Sequence, residues 1–597
     1  MASNPHYSDD EEGYLDDDLS QDGVADGQEL SPEEQEALRQ QKEAAAQIAK
    51  ENEALLQQVP DPFVVRLQNA ISSNNATEVS QLYDRTWPQL SNEFYKAEEW
   101  PRAEVFASLV RNDDVFLIFY RELYFRHLYS RFAANIDIDD RFDSYENYCN
   151  LFNYILNSDG PVPIELPAQW LWDIIDEFIW QFSAFATWRG KTKDKSEDEV
   201  ELLEESPQVW SSYSVLNVLY SLIQKSHIHD VLNSKDEEAT SDDFVNKPLY
   251  RLFGYFSILG LLRVHVLLGD YTLALAVMEG IDLKAMLSPS SRQHAVHAAH
   301  VSALYHVGFC YLMLNRWTDA IDTLSRGVSY FYKNRRFTAG ADQVAKTVDR
   351  MLAMVAIAHS FVPSLRLDDW IKAGIDKFGE GPHRINRGPY ASGQSEAELL
   401  TVYEDLFLRA APKFVSPTLP PLGASEDQPV TNDPTRHQLG LFLAGIKPLL
   451  PAPDMRSFLR LYTTVSTSKL ASLLHRDEES VAQQLAVVNG ASRSLKWNEG
   501  GLLSGEPESI TDLAFQIEDG NVRISESKRQ RQVADYFYRR TIKTADLLHQ
   551  LQGKPLPAFA HSKSTSGQQP NASTGAGASK PEGSKVSWAA NVAKASA

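Results

Sequence analysis

The sequence predicts a mainly α fold: an α-solenoid of helical repeats, then a winged helix and a C-terminal helix, with disordered termini. Three observations carry this. From about Pro62 to Phe378, apolar residues recur at three- and four-residue spacing and strand alternation is nearly absent. Two segments inside that stretch share one helix–turn–helix pattern. Beyond it, two helices and a turn are followed by a short alternating hairpin.

Residues 1 to about 30 are acidic and poor in large apolar groups, a composition that does not support a packed core. Thirteen acidic residues precede Arg39 with no Lys or Arg among them, so −13 of the formal −24 sits there and −11 remains for the rest. At Ser31 the composition turns to helix formers. Ser31 suits an N-cap, Pro32 the first helical position and Glu34 the capping-box partner. This makes residues 1–60 an acidic extension with an exposed helix, and residues 61–324 a helical-repeat region.

Within the repeats, "DVFLIFYRELYFRHLYSRF" and "QWLWDIIDEFIWQFSAFATW" each read as a core helix. "LRVHVLLGDYTLALAVMEGI" and "CYLMLNRWTDAIDTLSRGV" resemble each other. Gly269-Asp270-Tyr271 is followed by Ala274, and Asn315-Arg316-Trp317 by Ala320. A small residue three places after the aromatic lets two antiparallel helices approach closely. The aromatics lie 46 residues apart, longer than the ~34-residue tetratricopeptide period. An irregular solenoid of helix pairs follows, each burying its apolar face on its neighbours.

"GEGPHRINRGPYASGQ" and "SPTLPPLGASEDQPVTNDPTR" read as long connectors. The stretch Leu461 to Val488 then reads as a helix, a turn and a helix. Leu470, Leu473 and Leu474 form its first apolar stripe, Val481 and Leu485 its second, and Asp477 stands where a cap belongs. In "DLAFQIEDGNVRISES", Leu513, Phe515 and Ile517 alternate, Asp519-Gly520 marks a turn, and Val522 and Ile524 alternate again. The winged helix spans about 455–526. "RQRQVADYFYRRTIKTADLLHQL" is the final helix, and residues 541–597 hold its end and a Ser/Gly/Ala/Pro tail.

A recognition helix meets DNA with Arg, Lys, Asn or Gln in its first turn. This one offers Asp477, Glu478 and Glu479, with Gln483 and Gln484 the only suitable readers. Sequence-specific DNA binding is therefore not expected. Cations gather instead at Lys528, Arg529, Arg531, Arg539, Arg540 and Lys543. They are the candidate protein or RNA interface, weighed against an ordinary solvated helix face.

No catalytic, cofactor or metal site is expected. "RGKT" at Arg189–Thr192 lacks the upstream glycine of a phosphate loop, because Phe185 stands there. His294, His297 and His300 share a helical spacing of three, with no carboxylate to complete a metal set. They read as polar positions between packed helices. In "HIHD", His227–Asp230, the serine of a metal-dependent deubiquitinase is replaced by Glu237. Trp170, Trp172, Trp180, Phe182, Phe185 and Trp188 are interleaved with Asp173, Asp176 and Glu177 rather than with cations, so they read as core and not as a base-stacking platform. Cys149 and Cys310 lie far apart and form no framework. The acidic N-terminus lacks a signal peptide's pattern, and Arg263 and His265 interrupt the longest apolar run. A cytoplasmic, non-membrane protein is expected.

Helical repeats running into a winged helix and a last helix resemble the PCI module, which places a PCI domain at 325–540. That module is shared by scaffold subunits of the proteasome lid, the signalosome and eukaryotic translation initiation factor three. Ser144–Phe182, "SVLNVLYSLIQKS", "LYRLFGYFSILGLLRVHVLLGDY", "PKFVSPTLP" and "RSFLRLYTTVSTSKLASLL" are similar to the L-subunit family of that initiation factor. The resemblance covers about residues 62–552. It implies a non-catalytic scaffold subunit that supports preinitiation-complex assembly on the small ribosomal subunit and mRNA recruitment, near the K and E subunits. A scaffold of the proteasome lid or signalosome is the alternative. The acidic extension and the tail fall outside the family core, and His475-Arg476 stands where many PCI winged helices carry Gly and an apolar residue.

Overall fold

The protein is described by a computed structural model covering residues 62–191, 195–233, 244–287, 296–393, 395–416, 433–511, 513–526 and 530–552. The expected helix from Ser31, the connector 417–432 and the tail after 552 lie outside the described residues. Two units are distinct, residues up to 527 and residues from 528 onward.

The principal helices of the first unit are α1 (Phe63–Ser72), α2 (Asp114–Arg131), α3 (Ile138–Leu156), α4 (Ala168–Arg189), α5 (Ser212–Ser226), α6 (Pro248–Leu268), α7 (Tyr271–Val277), α8 (His297–Met313), α9 (Trp317–Asn334), α10 (Ala341–Phe361), α11 (Asp369–Ile375), α12 (Glu396–Ala410), α13 (Pro434–Ile446) and α14 (Ala452–Leu459). Their starts follow local chemistry. Asp113 accepts from the Phe116 N–H at 3.1 Å and caps α2. Ser395 and Glu398 form a reciprocal capping box on α12. Successive helices pack in chain order: α2 on α3, α5 on α6, α6 on α7, α8 on α9, α9 on α10, with α12 closing on α10. One continuous apolar core runs through them. α6 is long and apolar enough to cross a membrane, and it is a core helix here, packed on α4, α5, α7 and α8.

The two related turns superimpose in their chemistry. Gly269 (φ +89°) and Asn315 (φ +57°) both take the left-handed conformation that ends a helix. The next N–H closes each turn: Asp270 donates to the His265 carbonyl at 2.9 Å, and Arg316 to that of Tyr311 at 2.8 Å. Ala274 and Ala320 are fully buried. At Gly308 the approach of α8 and α9 is closest, since a Cβ would lie 2.4 Å from Leu324 Cδ2.

The aromatic run of α4 is core. Trp170 stacks on Tyr83 at 4.9 Å and donates its indole N–H to Glu122 at 3.0 Å. Trp172, Phe182 and Phe185 are buried, while Trp180 and Trp188 are half-buried. The interleaved acids are used. Asp176 pairs with Arg263 of α6, and Arg126 of α2 lies 3.6 Å from Asp173.

After α14 come β1 (Thr464–Ser466), α15 (Thr467–Leu474), α16 (Glu478–Ala491), β2 (Arg493–Lys496), β3 (Glu506–Ser509), β4 (Leu513–Glu518) and β5 (Asn521–Glu526). β1, β5 and β4 form an antiparallel sheet in that order. Asp519 (φ +47°) and Gly520 (φ +74°) make the expected two-residue turn, with Phe515 opposite Ile524 and Ile517 opposite Val522. α14, α15, α16 and this sheet enclose a second small core of Met455, Leu459, Val465, Leu470, Val481, Leu485, Leu513 and Val522. Three expectations are corrected. Leu473 and Leu474 are only half-buried, and Ala471 takes the buried place. Asp477 sits at the cap position but its side chain accepts no cap hydrogen bond. The first connector is helical over Gly381–Ser392, broken at Gly388 (φ +82°), where Asp454 and Pro453 leave no room for a Cβ.

The second unit shows one helix, α17 (Gln530–Leu551).

Glu177 gives a pH test. Burial pushes its carboxyl from 4.5 up to about 7, against the opposing pull of the Gln181 side-chain N–H at 3.0 Å and of Arg126. The folded chain thus binds this proton more tightly than the unfolded chain. The stabilisation is complete below pH 4.5 and lost as pH rises through about 7. Glu177→Gln should leave Tm unchanged at pH 4 or below and raise stability at pH 8 by about 1 kcal/mol, read by thermal melts at both pH values.

Candidate protein interface

Arg316 is the residue that joins the repeats to the chain beyond α16. The turn between α8 and α9 presents it, and its side chain is 7 % exposed. Its Nε donates to Asp319 at 2.8 Å, one turn along α9, and its Nη2 lies 2.7 Å from the same carboxylate. Nη1 donates to the carbonyls of Leu502 and Leu503 at 3.1 Å each, and Nη2 to that of Ser504 at 3.0 Å. Those carbonyls belong to the loop between β2 and β3. Asp319 in turn accepts the Trp497 backbone N–H at 3.0 Å. Burial pushes its carboxyl above the usual range, and the Trp497 N–H and Arg316 partly offset that. Tyr311 donates its hydroxyl to Leu502 at 3.0 Å, and Leu502 itself is buried in the solenoid core. Gly505 permits the approach, because a Cβ there would sit 3.0 Å from the Lys496 carbonyl and 3.1 Å from Arg316.

Sequence reasoning missed this joint. Its signal was present: Arg316 stands where the first related turn has Asp270, and Leu502-Leu503 is an apolar pair between Gly500-Gly501 and Gly505.

The turn between α15 and α16 holds His475 at φ +51°, the left-handed conformation a glycine takes freely. The Arg476 N–H closes it on the Ala471 carbonyl at 3.0 Å, and the Arg476 side chain pairs with Glu396 of α12 at 2.5 Å. Glu478 accepts from the Thr467 hydroxyl at 2.6 Å, which ties α16 to α15. Asp477, Glu478 and Glu479 are all exposed, so the first turn of α16 presents negative charge to solvent. Gln483 is exposed and Gln484 half-buried.

Of the six candidate interface cations, Lys528 and Arg529 lie outside the described residues. Arg531 is within α17, with its side chain outside the description. Arg539, Arg540 and Lys543 are exposed, and Arg539 pairs with Asp535 at 3.1 Å. α17 also exposes apolar groups. Ala534, Phe537, Leu548 and Leu551 share one line along the helix, at spacings of three, four and sums of them. Thr541 and Thr544 lie between, their hydroxyls donating to the carbonyls of Phe537 and Arg540. This line is the seam of a helix that packs on another helix. Among the described residues of its own unit, nothing covers that seam.

The described members of the metal and nucleotide candidates divide between buried and exposed positions. His294 and Thr192 are outside the described residues. His297 and His300 both bond the Tyr330 hydroxyl through Nδ1, at 2.7 and 3.0 Å, and burial holds His300 down to about 4. Arg189 is buried, donating to the Leu203 carbonyl at 3.3 Å. His227 lies 3.5 Å from Asp230, and Glu237 is outside the description. No cluster of three metal-binding side chains occurs among the described residues.

A protein-family model described as RNA polymerase I-associated factor PAF67 matches residues 140–544. The chain is 46 % identical over 516 residues to eukaryotic translation initiation factor 3 subunit L of Mycosarcoma maydis, covering 84 % of this chain and 75 % of that protein. It is 39 % identical over 495 residues to the protein of the same name from Danio rerio, covering 81 % and 83 %. The human protein of that name is 39 % identical over 479 residues, covering 78 % and 82 %.

Arg316→Ala leaves Asp319 buried without its cation and strips the loop carbonyls of their donors. Stability should fall by about 3 kcal/mol, and hydrogen exchange across 497–504 should rise well above that of α8 and α9. Arg316→Lys should rescue little, since one ammonium cannot reach all four acceptors.

Proposed function

The chain belongs to the eukaryotic translation initiation factor 3 subunit L family, and from that membership we propose that it is a non-catalytic scaffold subunit of the initiation factor 3 complex. In this reading α14 to β5 form a PCI winged helix within a PCI domain at 325–540. It docks side by side with other subunits, notably K and E, and supports assembly on the small ribosomal subunit and mRNA recruitment in the cytoplasm. No membrane and no sequence-specific DNA enters the account.

The observation that carries the proposal is the uncovered seam of α17. A helix with Phe537, Leu548 and Leu551 on one line gains stability by burying them against partner helices, at about 25 cal/mol per Å². Arg539, Arg540 and Lys543 flank the seam and favour acidic partner helices or RNA phosphates. The acidic first turn of α16 opposes phosphate and suits protein contact.

Phe537→Asp with Leu548→Asp should leave the melting of the first unit unchanged and cut co-purification of other initiation factor 3 subunits at least tenfold. Arg539→Glu with Arg540→Glu should weaken subunit assembly or co-sedimentation with small ribosomal subunits, with a loss that deepens at higher salt. Unchanged recovery in both double variants would remove α17 from the interface.

A further inference from the structure

A groove on the solenoid lies away from the joint and belongs to a different unit from α17. It is formed by Tyr332 and Lys333 of α9, Leu352 of α10, and Asp368, Trp370 and Lys377 at and beside α11, and encloses about 690 Å³, the size of a peptide- or ligand-binding cleft. Gly374 keeps its floor low, since a Cβ there would press to 3.0 Å of Leu352. Tyr332 and Trp370 meet edge to face at 5.8 Å and 82° while remaining 48 % and 40 % exposed. Lys333 and Lys377 are exposed and form no ion pair among the described residues. Asp368 is the one carboxylate in the lining. The adjoining turn adds Arg336, which forms no ion pair among the described residues, exposed Phe337, and Arg335, which lies 3.9 Å from Asp342. Exposed Asp369 and Asp376 adjoin Trp370 and Lys377, paired with Lys372 and His383 respectively.

We infer that this groove is the docking site of the chain's own acidic segment Asp9–Leu19, "DDEEGYLDDDL". The match is chemical. The segment carries Tyr14 and Leu15 between four and three carboxylates and has no cation. Two adjacent apolar side chains bracketed by acids fit an aromatic groove edged by Lys333, Lys377 and Arg336. Net charge gives the segment no general attraction to the rest of the chain, because −13 of the net −24 lies before Arg39 and the remainder is itself negative. The tether makes it local. Forty-three residues separate Leu19 from Phe63, which spans up to about 140 Å extended and holds the segment at an effective concentration approaching millimolar. A weak contact is then populated without a second molecule.

The test is zero-length carbodiimide cross-linking of the full-length chain, read by peptide mass spectrometry. Carboxylates between Asp9 and Asp18 should join Lys333 or Lys377, and not Lys372, which is equally exposed but paired with Asp369 at 3.3 Å. The yield should fall about fivefold in Tyr14→Ala and in Trp370→Ala, both of which keep every reacting lysine and carboxylate, and should fall again in 0.5 M salt. A mixture of light and heavy isotope-labelled chains should give links within one chain only. Links spread evenly over surface lysines, or unchanged in Tyr14→Ala, would overturn the inference. Links between light and heavy chains would assign the groove to a second copy. An oligouridylate that binds the native chain at Tyr332 and Trp370 with the same affinity whether or not Asp9–Asp18 are neutralised would assign it to nucleic acid. Either assignment would also overturn it.

Discussion

A guanidinium buried between two parts of a chain fixes them to each other, because each of its N–H groups must find an acceptor or cost desolvation. Arg316 meets that demand with Asp319 on its own helix and with three successive carbonyls, Leu502, Leu503 and Ser504, from a loop more than 180 residues later. The same guanidinium thus supplies the donors for all three loop carbonyls, which fixes where the loop sits. Trp497 reinforces it by donating to the same carboxylate. The helix–turn–helix unit between α14 and β5 is thereby held to the repeats by a polar lock as well as by apolar contact.

The lock explains how a modest second core is held against a much larger one. Nine residues enclose the core of the C-terminal part of the first unit, far fewer than line the solenoid. Such a core holds its shape more easily when its inserted loop is anchored in the larger one. The anchor is an elaboration of the repeat itself. Both related turns use a left-handed residue and the same backbone closure, but only the second replaces Asp270's counterpart with arginine. The surfaces proposed for subunit contact lie elsewhere: an acidic turn at Asp477–Glu479, and α17 with its exposed apolar residues and flanking cations. Their opposite charges suit a subunit that meets several neighbours.

Much of this was legible locally. The turns at Gly269 and Asn315, the small residues Ala274 and Ala320, and the Asp519-Gly520 hairpin follow from spacing and from residues that tolerate positive φ. The aromatic run of α4 was readable as core because acids, not cations, separate its rings. Non-local features were not legible. β1 is three residues long and exists only through pairing with β5. Arg316 shows no sign in its own neighbourhood that its acceptors lie beyond Gly500. Asp477 had a capping residue's identity, yet the bond that ties α16 to α15 comes from Glu478 and Thr467. For the proposed interface, sequence offered the cations of α17, while the exposure of its apolar residues became visible only in the described part of the helix.

The account's central claim is that this chain is a structural member of a translation initiation assembly, held there by protein contacts. Purification of the tagged native chain, with and without nuclease, followed by identification of every co-purifying protein tests it most directly. The account predicts the other initiation factor 3 subunits in near-equal amount, retained after nuclease treatment. Recovery of proteasome-lid or signalosome subunits instead, or loss of all partners on nuclease treatment, would contradict it.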